Sequence, residues 1–255
     1  FSDANSLYNK DSLKYLMENF ADPSVGYVTG KMVYVNPDGT TVGNGCSAYM
    51  KYENLLRSYE ARIGSVVGVD GGIDAVQKKL YREMNPDQLP DFVLPLKVVE
   101  QGYRVVFEPR ALLEEEALKS PEDENRMRVR VSLRALWALL DMRSLLNPFR
   151  YGIFSFQLFS HKVLRYLGIV FIVLLYLSNF IIIIWHRSWF YKVAFIIQSI
   201  AIALALVSHF LEKTGKSSGI LYILNYFYLI NISAGQALFK FILGKKQVTW
   251  TPRKG

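Results

Sequence analysis

An α/β layer leading into an all-α membrane region is the fold this chain of 255 residues predicts. Strand-like and helix-like segments alternate through residues 1–118, the pattern that builds a largely parallel sheet. Runs free of Asp, Glu, Lys and Arg follow at 166–185, 193–211 and 220–239, each of about 20 residues, the length that crosses a hydrocarbon core of about 30 Å. Charge divides at the same place: residues 1–125 hold 13 Lys/Arg and 20 Asp/Glu, and residues 126–255 hold 17 and 2. The net charge of +8 therefore belongs to the membrane half. A basic approach to an apolar run suits anionic headgroups and a cytoplasmic positive-inside signal, so membrane lipids, not nucleic acid, are the expected partner.

Taken in order, residues 11–20 carry an acidic start and apolar positions at helical spacing, and Asp22-Pro23 ends them. Residues 25–35 are rich in β-branched and aromatic types and stop at Asn36-Pro37-Asp38-Gly39, which predicts a strand and a turn, with 42–46 as its return. Over 47–62 the positions Tyr49, Tyr52, Leu55, Leu56 and Tyr59 mark the apolar face of an amphipathic helix. A short strand then runs from Ser65 into the Gly71-Gly72 turn, followed by a basic helical turn over 77–83. Leu89-Pro90-Asp91 opens a helix that returns through Gly102-Tyr103-Arg104 into a strand ending at Pro109. Glu114-Glu115-Glu116 and Pro121-Glu122-Asp123-Glu124 read as a solvated acidic linker.

Residues 119–162 hold the linker and two interfacial pieces. The Leu- and Ala-rich stretch 131–146 has Arg134, Asp141 and Arg143 along a polar stripe, and the aromatic stretch 151–159 is too short to span. Three membrane helices are expected within 163–244, and a basic tail over 245–255. If all three cross, Lys245 and Lys246 emerge opposite the soluble part, against the positive-inside tendency; the run 220–239, holding Asn225, Asn231 and Gln236, is the candidate for re-entry. The runs carry no embedded charge to mark an ion path, which weighs against a transporter. A lone cysteine, Cys46, forms no internal disulfide, and His161, His186 and His209 match no metal spacing. The chain does not open with Met, and its first residues read as the middle of a fold, so a preceding portion is expected.

Chemistry concentrates at two aspartates. Asp3 in Phe1-Ser2-Asp3-Ala4-Asn5 suits a hard cation with Asn5 as a neutral oxygen donor, and equally an Asx turn. Asp91 suits a general base and equally a helix N-cap. Gly71, Gly72 and Asp74 form a loop that lets backbone approach a ligand, or simply a turn. Arg126, Arg128 and Arg130 suit a diphosphate or lipid headgroups.

In this order, with Ser160-His161-Lys162-Val163-Leu164-Arg165 before the first run and Gly244-Lys245-Lys246 with Trp250 after the last, the parts resemble the second half of a membrane-anchored family-2 glycosyltransferase. The resemblance implies a partial GT-A layer of nucleotide-sugar transferase type over 1–118, then interfacial helices and an all-α transmembrane region. It implies Asp3 and Asn5 as ligands of Mg²⁺ or Mn²⁺, and Asp91 as the base that deprotonates the acceptor. Gly71, Gly72 and Asp74 would face the sugar and acceptor, and Arg126, Arg128 and Arg130 the diphosphate. A nucleotide-sugar donor, a glycan or lipid-linked acceptor and polysaccharide-export partners follow, with the catalytic part cytoplasmic and the chain inactive without its nucleotide-binding portion. Pro90 stands where the family often has a second acid, and the family's Gln-Xaa-Xaa-Arg-Trp segment has no Gln here. A membrane scaffold or export partner that keeps the fold without catalysis is the alternative.

Overall fold

The computed structural model describes residues 1–3, 6–37, 39–117, 120–186, 188–213 and 221–248. At its centre β2 (Val25–Val35) and β4 (Arg104–Glu116) run parallel. The edges are β1 (Leu7–Tyr8) on β4 and β3 (Asp74–Val76) on β2, both antiparallel, giving the order β1-β4-β2-β3. The sheet is thus mixed and not largely parallel. The cause lies in the segment before β3: Val66 N–H bonds Val105 O at 2.9 Å, then Gly71 at φ +83° turns the chain so that Asp74 runs back along Thr29.

Strand β2 has the bounds its residues predict, while β4 continues past Pro109 to Glu116. The ladder shifts register between Thr29 and Lys31, where a Cβ on Gly30 would meet the Ala111 carbonyl oxygen at 2.6 Å. The triple-glutamate run is therefore strand, not linker. Its alternation buries Glu115 and exposes Glu114 and Glu116.

Helix α1 (Ser12–Glu18) ends in one 3₁₀ turn, and α2 (Thr41–Ile63) begins where a return strand was expected. Thr40 caps α2 by accepting the Gly43 N–H at 3.1 Å. The burial of α2 also inverts the expected face: Tyr52, Leu55 and Tyr59 are exposed, while Glu53, Asn54, Arg57 and Glu60 are buried. Helix α3 (Pro90–Glu100) starts with Pro at its first position, as that residue's fixed φ allows. Its N-cap is Leu89, so Asp91 is not a cap.

The second acidic segment is also ordered, as the first turn of α4 (Pro121–Asp141). Ser120 accepts the Asp123 N–H at 3.3 Å, and Glu122, Asp123 and Glu124 complement the helix dipole. A 3₁₀ turn, α5 (Pro148–Tyr151), α6 (Ile153–Leu158), a π-turn (Phe159–Val163) and α7 (Leu164–Tyr166) lead to the long helices. One buried cluster joins Phe92, Val93 and Leu96 of α3 to Ala135 and Leu139 of α4 and Phe154 and Leu158 of α6. Helices α4 and α6 are thereby packed onto the α/β layer, while Phe149, Ile153 and Phe156 are exposed.

Among the described residues two helices are long and apolar enough to cross a membrane, α8 (Gly168–Trp185) and α9 (Trp189–Lys213). The third apolar run forms α10 (Tyr222–Ile242), whose two ends both meet the α/β side. Near its start the Tyr226 hydroxyl donates to Glu124 at 2.6 Å, and beyond its end Lys246 pairs with Asp87 at 2.5 Å. Of its polar positions, Asn225 donates to Glu212 near the end of α9 and Ser233 to Asn125 of α4.

Candidate active site

The N-terminal segment and the glycine turn are laid side by side. Ser2 bridges Ile73, the Phe1 ammonium donates to Asp74 O at 2.7 Å, and the Asp74 N–H donates to Phe1 O at 3.2 Å. The Tyr8 hydroxyl, 2.5 Å from the Gly72 carbonyl, closes the loop. Asp3 thereby lies beside Gly71-Gly72. On the other side of the turn Asp91 comes so close that a Cβ on Gly71 would meet its Cβ at 2.8 Å, and a Cβ on Gly72 would meet Leu113 at 2.7 Å. Asp3 and Asp91 line one cavity of about 790 Å³. That volume is in the range of small-molecule sites.

Asp91 sits in the first turn of α3, with Oδ1 buried and without a hydrogen-bond partner. Pro95 has no N–H to offer the Asp91 carbonyl, so the backbone there is also free of its helical bond. Burial, reinforced by the negative charge of Asp74, pushes the Asp91 carboxyl up to about 7. Asp74 is itself buried, and burial pushes it up to about 6. It stands behind Asp91 and not in the cavity wall; the same holds for Gly71 and Gly72, whose part is to admit Asp91 and the sheet at close range.

The three predicted arginines separate. Arg128 and Arg130 of α4 line the cavity, whereas Arg126 is exposed and paired with Asp123. Arg128 Nε donates to Glu124 at 2.8 Å, its Nη2 donates to the Tyr226 hydroxyl at 2.7 Å, and its guanidinium lies 4.6 Å over the Tyr49 ring.

Other charged and polar groups line the wall or stand just behind it. Arg57 holds Asp70 in a two-bond fork at 2.5 and 2.6 Å and donates to Gly68 O at 3.1 Å. Arg165 donates to Glu53 and, at 2.9 Å, to the Tyr49 hydroxyl. His161 is buried with Nδ1 at 2.5 Å from Glu60 and Nε2 at 3.3 Å from Glu53, tying the π-turn to α2. Their sequence signal is faint: glutamates and an arginine spaced at 53, 57 and 60 on one face of a helix.

For a metal the described residues offer Asp3, an exposed carboxylate at the cavity edge, and Asn5 lies outside the described residues. No group of three or more His, Cys, Asp or Glu among the described residues is placed to hold an ion. Mg²⁺ and Mn²⁺ need no such cage, because substrate phosphates and water complete a shell begun by one or two carboxylates. The residues present fit that kind of site.

No protein-family model matches the sequence, and no curated protein matches it. Its fold is similar to a solved glycosyltransferase, the mannosyltransferase PcManGT from Pyrobaculum calidifontis in complex with GDP-Man and Mn²⁺, at a TM-score of 0.63 and 17% identity. The match covers 96% of this chain and 62% of that one. This chain therefore shares the fold of that protein and spans less than two thirds of its length.

Proposed function

We infer that this chain carries the acceptor side of an inverting, metal-dependent glycosyltransferase of GT-A type, akin to the membrane-anchored family-2 enzymes. It moves a sugar from a nucleotide-sugar to a hydroxyl acceptor at the cytoplasmic face of a membrane. The observation that carries the reading is Asp91, poised near 7 with an unpartnered oxygen in a cavity it shares with Asp3. A base in that range is charged often enough to work and basic enough to take a hydroxyl proton.

In this mechanism Asp91 accepts the acceptor's proton as the acceptor oxygen attacks the anomeric carbon. The attack comes from the face opposite the diphosphate, so configuration inverts without a protein nucleophile. A divalent ion held by Asp3 supplies, when bound, charge neutralisation of the departing diphosphate. Arg128 and Arg130 face the same space and add positive potential. The Arg57–Asp70 fork holds the loop between Gly68 and Gly71 in place behind Asp91. Helices α8 and α9 anchor the assembly, with the outward aromatics of α5 and α6 at the headgroup level.

Asp91→Asn in the full-length parent tests the reading. Transfer should fall by about 10²–10⁴ with the protein still folded in the membrane; unchanged transfer would reject Asp91 as the base.

A further inference from the structure

Helix α2 keeps an apolar row on its outer side. Tyr52, Leu55, Tyr59 and Ile63 are each more than half exposed, and at about 100° per residue they fall within about 80° of arc. Single exposed apolar side chains are ordinary, whereas four in one row form a contact surface. Charge sorts around the helix in the same way. Both of its acids, Glu53 and Glu60, are buried, as is Arg57, so the charges that α2 presents outward are two cations, Lys51 and Arg62. They stand on one flank of the row, with the Arg62 guanidinium 5.8 Å from the centre of the Tyr59 ring. Residues 1–125 hold 13 Lys/Arg against 20 Asp/Glu, yet this outward row is aromatic and cationic.

The direction of the row follows from how α2 is fastened. Helices α8 and α9 pack as a hairpin, with the Tyr176 hydroxyl 3.2 Å from Ser199 Oγ and Asn179 donating to Gln198 at 3.0 Å, so the start of α8 and the end of α9 lie at one level. The Val42 N–H at the start of α2 donates at 3.0 Å to Glu212 in the last turn of α9. Farther along, Glu53 accepts from Arg165 and Glu60 lies 2.5 Å from His161 Nδ1, both just ahead of α8. From Val42 to Glu60 the helix rises about 27 Å, and a helix held at both points to one level lies along that level. Met50, in the core against β2, and Asn54, donating to Met32 O at 2.8 Å, hold the opposite side of α2 to the sheet. The row therefore faces away from the sheet, toward the side on which α8 and α9 continue.

We propose that α2 is an interfacial helix whose row of Tyr52, Leu55, Tyr59 and Ile63 seats in the headgroup region of an anionic bilayer, with Lys51 and Arg62 on the lipid phosphates. Tyrosine at that depth keeps its ring among acyl carbons and its hydroxyl in water, and the two cations draw the helix toward negative lipid. Because Tyr52, Glu53 and Arg57 of the same helix line the cavity, seating α2 fixes that wall relative to the bilayer. The proposal rests on α8 and α9 as bilayer anchors and is independent of the chemistry at Asp91.

The full-length parent is reconstituted as single copies in nanodiscs of phosphatidylcholine, with or without phosphatidylglycerol. Bimane is attached at Leu55→Cys, Ile63→Cys or, in the exposed part of α8, Leu174→Cys, the buried Cys46 not taking the label. Lipids spin-labelled at the top of the acyl chain should quench Leu55→Cys and Ile63→Cys at least about twofold, as for a helix seated about 5–10 Å into the headgroup boundary. Phosphatidylglycerol should strengthen the quenching, and Lys51→Glu with Arg62→Glu should return it to the phosphatidylcholine level. The proposal falls if both probes stay bright while Leu174→Cys is quenched, the result that a second copy or another part of the parent over the row would give. It falls equally if the charge reversal leaves quenching in phosphatidylglycerol unchanged. A bright Leu174→Cys would remove the bilayer anchoring and this inference together, while transfer by Asp91→Asn tests the catalytic reading apart from both.

Discussion

Asp91 and Asp74 share a buried corner, and their shifted carboxyls tie stability to pH. Both hold a proton more tightly folded than unfolded: burial raises them to about 7 and about 6, with the charge of Asp74 adding at Asp91 and that of Asp70 at Asp74. Their protonated forms suit the fold, so its stability is greatest below the ordinary carboxylate range, about pH 4, and is lost as pH rises through 6 and 7. Asp91→Asn removes that cost. The variant should melt higher than the parent at pH 8, on the order of 5 °C, with the gain vanishing toward pH 4. Scanning fluorimetry at both pH values checks this, and no gain at pH 8 would mean a solvated carboxylate. A variant that gains stability while losing transfer is what a strained catalytic group predicts. In the parent, transfer should rise with pH to a plateau above about 7, as Asp91 must be ionised to act. The place of Asp91 in the first turn of a helix was legible in the sequence because Pro90 and a returning strand flank it. The part of Arg57 was not, since its meaning lies in which distant group pairs with it.

Between helices, Glu124 has the same character. It is fully buried, with Oε1 accepting from Arg128 and from Tyr226 of α10, so one carboxylate joins α4 to α10 while Arg128 stacks on Tyr49 of α2. Removing one partner of a buried pair strands the other charge. Glu124→Leu should therefore destabilise by about 3 kcal/mol, and Glu124→Leu with Arg128→Met should recover most of the loss, read as denaturant midpoints in detergent. Equal losses in the single and double variants would show that the pair does not couple. The miss on this segment has a physical source: an acidic Pro-Glu-Asp-Glu run looks solvated, and only the Ser120 cap and the position of Tyr226 bury its last carboxylate. Helix α2 was misread for a related reason. Its tyrosines set the apolar rhythm, yet the face turned inward is charged because it lines the site. Strand β2 and helix α3 were legible because β-branched residues, a Pro start and glycine turns are local signals.

Across the molecule, the proposed path of the chain through a bilayer follows from where α10 is fastened. A third crossing would carry the basic tail away from the soluble layer, but Lys246 pairs with Asp87 and the Trp137 indole donates to Lys245 O at 2.9 Å. With α8 and α9 as the two crossings, the tail comes back to the side of the α/β layer, and its lysines join the basic face ahead of α8. The tail lysines then lie on the side that the positive-inside tendency expects, with only Arg187 and Lys192 at the opposite turn. Cysteine labelling tests this cleanly, because the native Cys46 is buried and burial pushes its thiol up to about 12, leaving it unreactive toward a maleimide. Cysteines introduced by Ser2→Cys, Ser188→Cys and Lys245→Cys report the soluble layer, the α8–α9 turn and the tail. In sealed right-side-out vesicles a membrane-impermeant maleimide should label Ser188→Cys alone, and in inverted vesicles the other two. Labelling of Lys245→Cys together with Ser188→Cys would require a third crossing and break the α10 contacts with Glu124 and Asp87. Retaining those contacts keeps Ile223, Phe227 and Ile230 in the wall of the cavity with Ile172 of α8.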